Sequence, residues 1–237
     1  MKRSRLDQVV LMGSIWGIIV LILAALLEPT PENFTLAASI ILSGFYTGFL
    51  YLTRGIWLPR LSKTPIRNAI VMGSINAAII ETLFLLVEKV FGATGVAAHP
   101  NLLMDLVITM PWYIGMVWVF VKVQKMEQFS PAAVLLFGAI YEFGADGVVG
   151  GQIIPMVMGE PINLITSWLL MLFLAFWQFI PVYSSMVLPP AWILEGIQSE
   201  PPQEKPRWRR GFLPLLWLIP FTLYLLVLIL IMGFLGN

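Results

Sequence analysis

The chain has 237 residues, 59% of them hydrophobic and only 11% charged, with a mean hydropathy of +0.87 and a formal net charge of +1. Such a balance lies outside that of water-soluble domains and marks an integral membrane protein with no feature that calls for a nucleic-acid partner. Cysteine is absent, which removes disulfides, thiolate metal sites and a cysteine nucleophile at once.

Read at about 20 residues per crossing, hydropathy predicts seven transmembrane helices in an all-α single polytopic domain over 1–237. The first, 9–27, follows a basic start. It is read as an uncleaved helix, because the apolar run is too long for a signal peptide and lacks a small-residue cleavage site. The second is 35–53. The third, 68–91, carries Glu81 and ends near Glu88. The fourth, 101–123, carries Asp105, Thr109 and the Pro111-Trp112-Tyr113 run. In the fifth, 130–149, Tyr141, Glu142 and Asp146 lead into a glycine-rich end at Gly144, Gly147, Gly150 and Gly151.

The stretch from Gly150 to Pro161 reads as an apolar loop, as a lid or lying in the interface. The sixth helix, 162–188, precedes a loop over 189–210 that contains Pro-Pro twice, Trp192 and Ile193, and the run Arg207-Trp208-Arg209-Arg210. That loop is expected to form a cytoplasmic interfacial strap. The seventh helix, 211–235, has no lysine, so a retinal Schiff base is excluded.

Lys and Arg near helix ends accumulate on the cytoplasmic side. With this division of the chain, every basic residue except Lys89 falls in the amino tail or an even-numbered loop. The amino terminus is therefore expected in the cytoplasm and the carboxyl terminus outside, with the basic face against anionic lipid headgroups of what is expected to be the cell membrane.

Segments echo one another. Met12-Gly13-Ser14-Ile15 matches Met72-Gly73-Ser74-Ile75, and Ala-Ile-Ile-Glu ending at Glu81 is set against Ala-Ile-Tyr-Glu ending at Glu142. Three hairpin repeats plus a final helix would explain these echoes and would make Glu81 and Glu142 quasi-equivalent.

The acids carry most of the functional information. Ser74, Ala77, Ala78, Glu81 and Glu88 form one stripe of the third helix, and Gly138, Glu142 and Asp146 one stripe of the fifth. Small neighbours turn such a stripe into the bundle. At about 1.5 Å per residue, Glu81 and Glu142 come roughly 18–20 Å into a core of about 30 Å, and Asp105 enters from the opposite side. Glu81, Asp105, Glu142 and Asp146 are therefore expected in one outer layer, with Glu88 and His99 at its rim and Thr109, Trp112, Tyr113 and Tyr141 around it. Pro111 is expected to free a backbone carbonyl as a ligand or acceptor, and the glycine-rich end of the fifth helix resembles the broken helices of transporter ion sites.

An intramembrane carboxylate without a basic partner is a functional-site hypothesis. The first reading is a transporter in which the four acids bind protons, a metal cation or an organic cation. The second is an intramembrane enzyme on a lipid or isoprenoid, with Glu142 or Glu81 as general acid. The third is a scaffold or assembly subunit in which neutral acids hydrogen-bond across helices. There is no Walker A pattern, no His-Glu-x-x-His and no Gly-x-Ser-x-Gly. The single histidine, His99, cannot build a triad inside the bundle, and no cofactor is predicted.

Overall fold

The computed structural model describes residues 4–61, 63–157, 174, 176–197 and 206–235. Six of its helical segments are long and apolar enough to cross a membrane, and the protein is an all-α integral membrane protein. Helix α1 (Arg5–Leu27) starts at a capping box: Asp7 N–H donates to Ser4 Oγ at 3.1 Å, and Ser4 N–H donates to the Asp7 carboxylate at 2.8 Å. Helix α2 (Pro31–Leu61) runs eight residues past the hydropathy boundary at 53, and Arg54, just beyond it, lies 4.2 Å from the Tyr51 ring centre.

Helix α3 (Pro65–Phe91) begins with proline, whose missing N–H costs nothing in a first turn, and stops at Gly92 with φ +69°. Helix α4 (Leu102–Glu127) is capped by Asn101, whose side-chain oxygen accepts from Leu103 and Met104 N–H.

Helix α5 (Pro131–Val157) is where the sequence reading needs its largest correction. The chain does not dissolve after Glu142. It widens into a π-helix over Phe143–Ile153 and closes with an α turn, Ile154–Val157. The expected apolar loop is thus helical over residues 150–157; its remainder, with the first part of the predicted sixth helix, falls outside the described residues. Glycines permit this: a Cβ on Gly144 would sit 2.9 Å from the Leu218 side chain, and one on Gly147 3.1 Å from the Phe143 ring.

Helix α6 (Phe179–Leu194), entered by a 3-10 turn at Phe176–Gln178, packs against α2, α3, α4 and α5 and is buried all round from Val182 to Leu194. A helix apolar on every side belongs at the centre of a bundle. It reaches six residues past the boundary at 188, so Pro189, Pro190, Trp192 and Ile193, read as part of a strap, are core residues. Last comes a 3-10 segment, Trp208–Trp217, continuing into α7 (Leu218–Leu235).

Prolines inside helices leave the carbonyl four residues earlier without its donor. Two of these carbonyls are rescued by distant side chains. Pro189 frees the Ser185 carbonyl, which accepts from Asn76 Nδ2 at 2.7 Å, while Asn76 Oδ1 accepts from the Tyr46 hydroxyl at 2.8 Å. Pro111 frees the Val107 carbonyl, which accepts from the Tyr224 hydroxyl at 2.7 Å, and Trp217 Nε1 donates to the Pro111 carbonyl at 2.9 Å. The carbonyl expected to serve a ligand is therefore occupied by the last helix. Gly115 makes room for this docking, since a Cβ there would lie inside the Trp217 ring. The buried face of α3 runs through Gly73, Asn76, Ala77, Ile80 and Glu88, displaced from the stripe centred on Ser74 and Ala78.

Candidate functional site: an acid-walled cavity

Glu81 of α3, Thr109 and Tyr113 of α4, and Glu142 and Asp146 of α5 line one cavity of about 450 Å³. Apolar walls come from Leu36 and Ile40 of α2, Ile80 and Phe84 of α3, and Phe179 and Val182 of α6. The roof is the backbone of Gly95–Ala98, and Gly150 and Gly151 of the π segment complete it. The volume and the mix of apolar wall with a few polar groups fall within the range of small-molecule sites. A shallower groove of about 630 Å³ beside Lys89 and Leu102–Leu103 carries no acid.

Local geometry explains how the acids converge. Glu142 is the last residue of the α turn and Asp146 lies four positions on. The wider π winding, with its i to i+5 bonds, still returns that position to the same side. Asp146 is exposed and lines the cavity. Glu142 is only 4% exposed, and its Oε2 meets no donor among the described residues.

Glu81 accepts a short hydrogen bond from the Tyr113 hydroxyl. Asp105 is fully buried behind the wall. Its Oδ1 accepts the His99 N–H at 3.1 Å and its Oδ2 meets no donor among the described residues.

The four acids lie close enough to act on one another, Glu81 beside Asp105 and Glu142 beside Asp146, with like-charge repulsion both within and between these neighbours. Carboxyls so placed do not all ionise together, so they behave as one coupled set. Among the described residues no Lys, Arg or His side chain lines the cavity. Among the described residues no group of three or more acids or histidines is placed to hold a metal ion.

The other residues singled out in the sequence go elsewhere. Trp112 is buried outside the lining and donates from Nε1 to the Tyr183 hydroxyl at 2.7 Å, and Tyr183 stacks edge-on with Tyr113 at 5.6 Å. Tyr141 points away from the cavity and donates to the Gly211 carbonyl at 2.6 Å. Glu88 is buried and accepts from Val96 and Ala97 N–H at 2.8 and 2.6 Å, and so holds the roof loop. His99 touches the layer through its backbone, while its Nδ1 accepts from Asn101 N–H at 3.0 Å.

Sequence reasoning missed the α2 and α6 walls, because nothing in an apolar run tells a cavity-facing side chain from a lipid-facing one. It also missed Glu127, whose signal was the arginine run on the same side of the bundle. No protein-family model, no curated protein and no solved structure matches this chain.

Proposed function

We propose that the protein is a proton-coupled cation transporter of the cell membrane, with its amino terminus in the cytoplasm and its acid-walled cavity in the outer half of the bilayer. The observation that carries this reading is the wall itself. Glu81, Glu142 and Asp146 face one cavity with no basic side chain among its lining residues. An intramembrane acid cluster of this kind binds protons or cations by exchange, because closely spaced carboxyls do not all ionise together.

The roof supplies a coupling element. Asp105 holds the His99 N–H and sits within reach of Glu81, so the protonation of that pair and the grip on the loop over the cavity are linked. Cation entry would displace protons held by this coupled set, and reprotonation would release the cation. The test is flux in liposomes containing purified protein under an imposed pH gradient, comparing wild type with Glu142→Gln. Proton movement coupled to cation uptake and lost in the variant is expected; equal flux in both, or none in either despite confirmed insertion, overturns the reading.

One observation favours a second reading. Most of the cavity wall is hydrocarbon, and the Glu142 carboxyl lines it, as an acid-catalysed lipid or isoprenoid enzyme would require. Mass spectrometry of protein extracted under mild conditions would reveal a copurified lipid substrate under that reading.

A further inference from the structure

We infer that, if the transport reading holds, the cation taken by this cavity is a small organic ammonium ion with a hydrocarbon body and not a metal ion. The hydrogen-bonding state of the wall carries the argument. Its side-chain hydroxyls are already committed, Tyr113 to Glu81 and Thr109 to the Asp105 carbonyl at 3.0 Å. The roof N–H groups of Val96 and Ala97 are taken by Glu88.

What remains on the wall among the described residues are acceptors: the carboxyls of Glu142 and Asp146. A complementary ligand brings positive charge.

A metal ion fits poorly. No group of three or more His, Asp or Glu side chains among the described residues is placed to hold a metal ion, and an ion keeping its water shell would lie against Leu36, Ile40, Phe84 and Val182. Those same side chains suit the body of an organic cation, with the head at the Glu142–Asp146 pair and hydrocarbon toward α2 and α6. The Phe84 and Phe179 rings add faces to which an ammonium is attracted.

The experiment is calorimetric binding to the purified full-length protein in detergent. The probes are benzyltrimethylammonium and its uncharged carbon isostere, neopentylbenzene, with sodium and calcium as competitors. We expect the ammonium to bind at least about tenfold tighter than the isostere, with proton release read from the buffer dependence of the heat, and to be undisturbed by either metal.

Glu142→Gln should weaken binding at least about tenfold. Val182→Phe, which fills the apolar side and leaves every carboxyl in place, should weaken it comparably, and thermal unfolding reports whether each variant is folded. Equal binding of the isostere, displacement by calcium or sodium, or no binding to folded wild type overturns the inference. Ammonium binding without flux in liposomes would sink the transport reading and leave the ligand class standing; proton-coupled flux of a metal ion would do the reverse.

Discussion

Glu127 and Glu142 are both buried carboxylates, 3% and 4% exposed, on helices of one bundle, and their surroundings are opposite. Glu127, at the end of α4, accepts the Arg207 N–H at 2.6 Å and forms an ion pair with Arg210 at 2.7 Å. Glu142 faces a cavity beside another acid, and its Oε2 has no donor among the described residues. Glu88 resembles Glu127 in being held by its own chain, its Oε2 accepting from two roof-loop amides. An acid whose valences are met by its own chain is an anchor, and one left facing a void is available to something from outside. The arginine run, expected against lipid headgroups, is in part consumed by such an anchor.

The largest effect expected from this contrast is on stability. Glu127→Ala should cost about 3 kcal/mol, because it strands Arg210 and the Arg207 amide; Arg210 is 29% exposed, which keeps the loss at the low end for a buried pair. Replacing both Glu127 and Arg210 by Leu should recover much of it. Denaturant unfolding in micelles measures both, and a loss under about 1 kcal/mol for Glu127→Ala would erase the distinction.

Glu142→Gln and Asp146→Asn should behave in the opposite way. Coupled flux should fall at least about tenfold, equivalent to about 1.4 kcal/mol, while unfolding stability stays within about 0.5 kcal/mol of wild type. A destabilisation as large as that of Glu127→Ala would make Glu142 an anchor too.

The membrane class and the convergence of acids were legible in the sequence, because hydropathy and uncompensated charge are local properties. Glu81, Glu142 and Asp146 line one cavity, and Asp105 stands one layer behind. Helix ends were less legible. Glycine-rich sequence after Glu142 reads as a break, yet packing against Leu215 and Leu218 keeps it wound as a π-helix. Pro189-Pro190 reads as a stop, yet Asn76 satisfies the carbonyl that Pro189 frees, and the helix continues to Leu194. In both places a partner distant in the chain decides the outcome, and no window of residues contains it.

That dependence on remote partners predicts smaller effects away from the cavity. Asn76→Leu leaves the Ser185 carbonyl and the Tyr46 hydroxyl without their partner where α3 meets α6, and should cost about 1–2 kcal/mol in unfolding stability.

The smallest effect belongs to Tyr224, which joins α7 to α4 nearer the lipid. Its hydroxyl meets the Val107 carbonyl only because Pro111 has no N–H to offer. Tyr224→Phe should therefore cost about 0.5–1 kcal/mol in the wild-type background. With Pro111→Ala, the alanine N–H supplies the helical bond to Val107 and the Tyr224 hydroxyl becomes redundant there. In that background Tyr224→Phe should be close to neutral. A double-mutant cycle measured by unfolding in micelles reads the difference directly. Equal costs in both backgrounds would mean that the hydroxyl bond does not compensate the proline, and that α7 is held to α4 by Trp217 and apolar packing alone.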